Sequence, residues 1–244
     1  MALKRLSELA AAGQKYNPID VAFFWDDFID EWALTSNEPV TGTSPWIGTA
    51  LSSGTTAFAN DVNGGTCILS GAATTDNSGS QIQLDTESFT VQASKDLAFG
   101  CRFQMSEATD NHFFAGLGIT DTTFLDGSDG TAALANTASL GFFKPDDSTT
   151  LYLIAGNGAS TIVGQTAVLT VAAATWYIAE FVYHGSSTAG NGSIDVFINK
   201  NFVTTVNYTG LSTTDMAITL ASVSGSATGT ISSTFDWVYA ATER

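Results

Sequence analysis

Apolar and polar positions alternate with a period of two along most of the chain, most clearly between Trp176 and Val206. A pleated strand imposes this period because successive side chains point to opposite faces. From Trp176 to Tyr183 both alternating rows are mostly apolar, which predicts a central strand. The two rows are Trp176, Ile178, Glu180 and Val182, and Tyr177, Ala179, Phe181 and Tyr183.

The same stretch predicts two further strands. A loop rich in Gly, Ser and Asn runs from Gly185 to Gly192, and an aliphatic strand follows from Ile194 to Ile198. The sequence from Asn199 to Asn201 predicts a tight turn, because asparagine tolerates positive φ. The chain then returns from Phe202 to Val206, which completes a hairpin.

Strand and turn patterns continue through the chain after Pro45. In the run from Phe113 to Thr120 glycines occupy one row, which indicates the close approach of another element. About a dozen strands, with no helix predicted after residue 20, favour one antiparallel two-sheet sandwich. The other predicted strands are 66–70, 80–84, 89–92, 97–105, 113–120, 139–143, 151–155, 167–171, 217–223 and 231–240. Trp176, Ile178, Phe181, Val196, Ile198, Phe99, Phe103 and Trp237 are predicted to be buried.

The first residues follow a different pattern. Leu3, Leu6 and Leu9 recur at helical spacing, and Gly13 is a suitable stop, so we predict a helix over 3–12. A helix of this length is not stable alone, so it packs either on its own sandwich or on a partner. We therefore divide the chain into an N-terminal amphipathic arm, 1–19, and a β-sandwich domain, 20–244.

The charge distribution separates the same two parts. The chain carries 24 acidic and 8 basic residues, a net charge of −16, which argues against nucleic-acid binding. Lys4, Arg5 and Lys15 make the arm basic. No apolar run reaches the roughly 18 residues of a membrane helix, and Glu8 interrupts the apolar start expected of a signal peptide.

Three short motifs resemble one known family. The tryptophan-led strand, glycine-rich loop and Asn turn of 176–206 resemble laminin-G-like and other concanavalin A-like sandwich domains. The segment FDWVYA, Phe235 to Ala240, looks like the closing strand of that fold. The segment FFWDDF, Phe23 to Phe28, is similar to the opening of such domains in bacteriophage structural proteins. The resemblance implies an all-β, concanavalin A-like jelly roll of two antiparallel sheets, here with a short N-terminal helical arm.

The sequence offers little catalytic chemistry. Laminarinase-like members of the fold place two carboxylates on one strand as Glu-x-Asp-x-x-Glu, and this spacing is absent. Glu180 has Asp195 as its one candidate partner across the sheet. His112 and His184 lie far from any nucleophile motif and are interpreted as surface or loop residues. We therefore predict no catalytic residues and no enzymatic activity.

Two further groups of residues are candidates for binding or packing. Asp121, Asp126 and Asp129 lie among glycines in one loop, and such hard oxygen ligands suit calcium, although a turn without metal explains them equally well. Apart from calcium, no cofactor is predicted. Cys101 is interpreted as a buried thiol. A disulfide between Cys67 and Cys101 is the alternative interpretation. The acidic residues near Trp25, namely Asp26, Asp27, Asp30 and Glu31, are interpreted as solvated.

Two functions of different class follow. The first is a non-enzymatic virion protein, a capsid decoration or cement protein made in the host cytoplasm and bound to the outer shell. Its arm would contact the major capsid protein or other copies of the chain, in a trimer for example, through Leu3, Lys4, Arg5, Leu6, Leu9 and Lys15. The alternative is a carbohydrate-binding, lectin-like module in which aromatic side chains stack on a surface glycan.

Overall fold

The computed structural model describes residues 21–29, 44–61, 64–72, 75–125, 134, 137–159, 161–225 and 231–244. Fifteen strands lie in these ranges. Their bounds are β1 Val21–Asp26, β2 Trp46–Leu51, β3 Thr55–Asp61, β4 Gly64–Ser70, β5 Gly79–Leu84, β6 Asp96–Met105, β7 Asn111–Gly118, β8 Ala138–Lys144, β9 Thr150–Asn157, β10 Ile162–Thr170, β11 Tyr177–Gly185, β12 Gly192–Ile198, β13 Asn201–Tyr208, β14 Ala217–Ser224 and β15 Ser232–Glu243. The described chain contains no helix long and apolar enough to cross a membrane.

The strands form two antiparallel sheets. The eight-stranded sheet has the order β13-β12-β11-β6-β15-β4-β3, and β1 also pairs with β15. β15 pairs with β4 through its first residues and with β1 through its last residues, so these two neighbours share one side of it. The seven-stranded sheet has the order β10-β9-β8-β7-β14-β5-β2. The predicted two-sheet antiparallel sandwich is therefore confirmed.

The main core lies between the two sheets and is built by one row of each strand. Phe99, Cys101 and Phe103 of β6 face this core, and Phe181 lies beside Phe99 with ring centroids 5.7 Å apart. Phe113 of the opposite sheet packs on Phe103 at 4.7 Å. Burial of many such side chains, each contributing roughly 1.5 to 3 kcal/mol, supplies the main stabilisation of the sandwich.

The structure corrects which row of β11 faces inward. Tyr177, Ala179, Phe181 and Tyr183 are buried, whereas Ile178 lies on the opposite, half-exposed row. The predicted burial of Phe181, Val196, Ile198, Phe99 and Phe103 is confirmed. The prediction is wrong for Trp176, Ile178 and Trp237, which are half-buried because they lie on the face turned away from the other sheet.

Other local predictions have mixed outcomes. The turn at Asn199 and Lys200 is confirmed, with φ of 51° and 67° at the two residues. Of the predicted strand 89–92, Phe89 makes one isolated bridge to Met216. β2 and β3 were not predicted. Cys67 and Cys101 are both free and buried, and burial raises the pKa of each thiol.

Candidate functional site

The outer face of the seven-stranded sheet, turned away from the main core, is covered by the chain that follows β7. Phe124 packs on Phe114 of β7 with ring centroids 4.6 Å apart, and both side chains are fully buried. These rings belong to a second hydrophobic core. Its buried members are Phe114, Phe124, Leu125, Leu134, Phe143, Ile154, Ala221 and Val223. The outer face of this sheet is therefore largely interior.

Two buried glutamines of β5 hold the covering segment in place. Gln83 donates from Nε2 to the carbonyl oxygen of Ile119 at 3.0 Å and accepts from the backbone N–H of Asp121 at 2.9 Å. Gln81 accepts from the backbone N–H of Phe124 at 3.0 Å and donates to the carbonyl oxygen of Asp121. Both side chains thus satisfy backbone groups that burial would otherwise leave costly.

Glycine lets the covering segment come close. A Cβ at Gly118 would lie 2.2 Å from the ring of Phe124, so only glycine fits beneath that ring. The close approach predicted from the glycine row of β7 is confirmed. His112 lies on the same buried face, with its ring 5.1 Å from that of Phe143. The interpretation of His112 as a loop histidine was wrong, because β7 begins one residue earlier, at Asn111.

The described strands of the seven-stranded sheet carry no acidic side chains. None of its seven strands contains Asp or Glu. A pair of carboxylates for glycoside chemistry therefore cannot come from these strands. The acidic strand residues of the described chain all lie in the eight-stranded sheet: Asp26, Asp61, Asp96, Glu180, Asp195, Asp236 and Glu243.

The outer face of the eight-stranded sheet carries an aromatic cluster made of Trp25, Trp237 and Tyr239. Trp25 lies directly opposite Tyr239 in the β1–β15 pairing. Its ring centroid is 5.3 Å from that of Trp237 and 6.2 Å from that of Tyr239, with interplanar angles of 19° and 12°. Trp25 is 48% exposed and Phe23, two residues earlier, is 55% exposed. The three rings are nearly parallel, and Trp25 is the one exposed to solvent, whereas Trp237 is half-buried and Tyr239 is buried.

Tyr239 links the aromatic cluster to a carboxylate. Its hydroxyl donates to Oε1 of Glu180 at 2.9 Å, across the intervening strand β6. The ring passes over Gly100, where a Cβ would lie 2.5 Å from it. Glycine at this position lets the tyrosine lie across β6 and reach β11. The aromatic cluster and Glu180 thus form one connected surface.

A cation lies beside the cluster. Arg102 of β6 pairs with Asp236 at 2.5 Å, and its guanidinium lies 4.5 Å from the centre of the Trp176 ring. Such cation–π contacts contribute roughly 0.5 to 1 kcal/mol at exposed sites. Trp176 therefore has a packing partner on the outer face of the sheet.

A histidine lies between two carboxylates further along the same face. Nδ1 of His184 is 3.2 Å from Asp96 and Nε2 is 3.4 Å from Asp195. Burial raises the pKa of Asp96, while His184 acts in the opposite direction. Asp195 lies opposite Val182 and accepts from the hydroxyl of Thr205 at 2.5 Å. Glu180 lies opposite Phe197, so the two carboxylates considered as a pair are not direct cross-strand neighbours.

The predicted site residues are only partly described. The arm residues Leu3, Lys4, Arg5, Leu6, Leu9 and Lys15, and the calcium candidates Asp126 and Asp129, lie outside the described residues. Asp121 accepts from the backbone N–H of Thr123 at 2.8 Å, as in a turn closed by an Asx side chain. The described residues hold no group of three or more His, Cys, Asp or Glu that could bind a metal ion.

Asp26 proves to be structural rather than solvated. It accepts from the indole N–H of the buried Trp46 at 2.6 Å and from the backbone N–H of Phe28 at 2.7 Å. These bonds join β1 to the start of β2. Trp25, the neighbour of Asp26, points to the other face and is the exposed member of the aromatic cluster.

No protein-family model and no curated protein sequence matches the chain. Solved structures do resemble it. An endo-1,3-beta-glucanase from Streptomyces sioyaensis is 12% identical, with a TM-score of 0.59 over 94% of this chain and 99% of the glucanase. The carbohydrate recognition domain of Emp46p, in a metal-free form, is 10% identical, with a TM-score of 0.56 over 89% and 97%. A conserved carbohydrate esterase from the Shiga toxin-encoding bacteriophage phi24B is 15% identical, with a TM-score of 0.52 over 89% and 99%.

These similarities show the fold, a concanavalin A-like jelly-roll sandwich, as predicted from the sequence. They also correct one prediction. The chain was predicted not to be an enzyme, but its fold is shared with a glucanase and a carbohydrate esterase, so the fold does not support that conclusion. The missing Glu-x-Asp-x-x-Glu motif argues against one catalytic arrangement and says nothing of others.

Proposed function

We propose that the protein binds carbohydrate through the outer face of the eight-stranded sheet. The observation that carries this proposal is the exposed Trp25, stacked with Trp237 and Tyr239 and connected through Tyr239 to Glu180. Further support comes from the similar structures, which include a carbohydrate recognition domain and two carbohydrate-active enzymes.

The chemistry of the face suits a sugar. One face of a pyranose ring presents C–H groups with partial positive charge, and the face of an aromatic ring is electronegative. Hydroxyl groups at the rim of the sugar need acceptors and donors, which Glu180, Arg102 and Asp236 can provide. Exposed aromatic side chains grouped on a solvent-facing surface commonly mark a ligand site.

The proposal is tested by titrating the protein with soluble glycans, including a β-1,3-glucan, and following tryptophan fluorescence and calorimetric heat. We expect Trp25→Ala to weaken binding about tenfold, the loss of roughly 1.4 kcal/mol. Tyr152→Ala is the matched control, because Tyr152 is a half-buried aromatic on the outer row of the seven-stranded sheet. Unchanged affinity of the Trp25→Ala protein, or no binding of any glycan by the original protein, would contradict the proposal.

The same mixtures should be assayed for new reducing ends. This measurement separates binding from turnover, which matters because glycan binding and glycan hydrolysis both occur on this fold. If reducing ends appear, Glu180→Gln tests whether the carboxylate next to Tyr239 takes part.

A second proposal concerns the N-terminal arm. One support is its basic, amphipathic sequence, which precedes an acidic β-sandwich domain. The other is the structural similarity to a bacteriophage protein. We infer attachment to a virion shell, through the major capsid protein or other copies of this chain. Deleting residues 1–16 should then abolish capsid binding while the sandwich stays folded by circular dichroism. Unfolding of the truncated protein would contradict this proposal.

A further inference from the structure

We infer that the outer face of the eight-stranded sheet takes an uncharged glycan chain that lies across the strands, from Trp25 on β1 to Phe197 and Phe202 on β12 and β13. This inference rests on the carbohydrate-binding proposal and adds the class, length and direction of the ligand.

The direction follows from the register of the sheet. Trp25 is opposite Tyr239, Tyr239 is opposite Gly100, Gly100 is opposite Glu180, and Glu180 is opposite Phe197. Phe202 continues the row, opposite Phe197. These six residues therefore form one line perpendicular to the strands, called here the cross-strand row. It has aromatic side chains at both ends and a carboxylate between them.

The length of the row sets the length of the ligand. Adjacent strands lie roughly 4.8 Å apart, so the five steps from β1 to β13 span roughly 24 Å. A single sugar cannot contact both ends of such a row, but an oligosaccharide can. The far end is well suited to a second stacking contact, because Phe202 is 55% exposed and packs edge to face with Phe197 at 5.8 Å.

The centre of the row favours a glycan chain that lies close to the surface of the sheet. Gly100 has no side chain, and Tyr239 lies flat enough to cross it and reach Glu180. The carboxylate of Glu180 has two oxygens, and accepting from Tyr239 through Oε1 leaves the group suited to accept from sugar hydroxyls as well. The row therefore combines apolar contact at its two ends with hydrogen bonding between them, as a chain of pyranose rings requires.

The charges around the row favour an uncharged ligand. The two basic residues in the described strands of this sheet lie next to carboxylates, Arg102 with Asp236 and His184 with Asp96 and Asp195, and Lys200 lies in the turn between β12 and β13. Glu180 and Glu243 add further negative charge, and the chain as a whole carries −16. A uronate or sulfated chain laid along the row would meet like charges at short range. A neutral hexose chain meets hydrogen-bond acceptors instead.

Binding of β-linked gluco-oligosaccharides, from the disaccharide to the hexasaccharide, tests this inference in the full chain, with oligoglucuronates of the same lengths as the acidic series. We expect affinity for the neutral series to rise with length and then level off at about five units, the span of the row. The acidic series should bind at least about tenfold more weakly at low salt, and the difference should shrink as salt screens the charges.

The variant Phe202→Ala separates the two ends of the row. It should weaken binding of the longer oligosaccharides about threefold to tenfold and leave the disaccharide unaffected. Trp25→Ala should weaken both. Phe202 is exposed, so the variant should keep its melting temperature to within about 4 °C, and Tyr152→Ala again serves as the control.

The outcomes distinguish the two proposals. Trp25-dependent binding that prefers the acidic series, or that shows no dependence on length or on Phe202, would overturn this inference and leave carbohydrate binding standing. A protein that binds no member of either series in a Trp25-dependent way would overturn both.

Discussion

On the seven-stranded sheet the outer face is part of the interior, whereas on the eight-stranded sheet it is exposed at Phe23, Trp25 and Phe202. The first face combines a hydrophobic core with buried polar side chains such as Gln81 and Gln83, has no acidic residue in its described strands and is covered by the chain after β7. The second carries aromatic rings together with Glu180, Arg102 and His184. In a sandwich both sheets bury their inner faces, so function must be sought where an outer face is neither covered nor uniformly polar. Here that condition selects the eight-stranded sheet.

The difference also shows how one fold can place sites differently. A covering segment needs hydrogen bonds for its backbone, and Gln81 and Gln83 supply them on the seven-stranded sheet. Once those glutamines and the glycine at 118 are present, the face is closed to a ligand as large as a sugar chain. The opposite face then stays accessible to a ligand.

The largest expected effect concerns the covered face. Phe124→Ala removes a fully buried ring from the second core, and we expect a loss of about 3 to 5 kcal/mol in the free energy of unfolding. Chemical denaturation measures it. The matched variant on the open face is Phe202→Ala, which should cost less than about 1 kcal/mol because its ring is 55% exposed. Equal losses in the two variants would mean that the two faces do not differ as described.

A smaller effect is expected at the glutamines. Gln83→Leu removes the donor to Ile119 and to the hydroxyl of Thr219, and the acceptor for the backbone of Asp121. Because Thr219 stays buried and Ile119 and Asp121 stay half-buried, we expect a loss of about 1 to 3 kcal/mol. Gln104→Leu is the control, since Gln104 lies half-exposed on the outer row of β6. Its stability should change by less than about 0.5 kcal/mol, and amide exchange should increase around 119–125 only in the first variant.

Much of the fold could be predicted from the sequence, because the period of two is a direct consequence of strand geometry. The hairpin at Asn199 was predicted for the same kind of local reason. The period does not say which row faces inward when both rows are apolar, and this ambiguity caused the errors at Trp176 and Ile178. β2 and β3 were missed, since glycine and small residues weaken the alternation in them.

The candidate site was harder to predict because it depends on pairing between distant segments. Trp25 and Tyr239 are more than two hundred residues apart in the chain and meet only through the β1–β15 pairing. One signal was present: FFWDD and FDWVYA both carry aromatic residues at alternate positions, as two strands with a shared outer face would. Sequence alone could not show that these segments pair, nor that Gly100 lets Tyr239 reach Glu180.

The smallest expected effect tests the electrostatics of the open face at Asp96. Burial raises the pKa of this carboxyl above its ordinary value of 3.8, and Glu243 acts in the same direction, while His184 opposes them. The folded protein therefore holds the Asp96 proton to a higher pH than the unfolded chain does. Stability from this group is fully present below pH 3.8 and is lost as pH rises through the folded pKa.

Asp96→Asn should remove the loss of stability that accompanies ionisation of Asp96. Relative to the original protein, the variant should gain stability between pH 3.8 and neutrality, by less than about 1 kcal/mol after allowance for solvent screening. Urea denaturation at a series of pH values measures the difference. His184→Gln should shift the loss of stability to higher pH. Removing the imidazole, which lies 3.2 Å from Asp96, lets the pKa of Asp96 rise further. Parallel pH profiles for all three proteins would mean that burial at the open face is too slight to perturb Asp96, and that this face is more fully hydrated than the structure indicates.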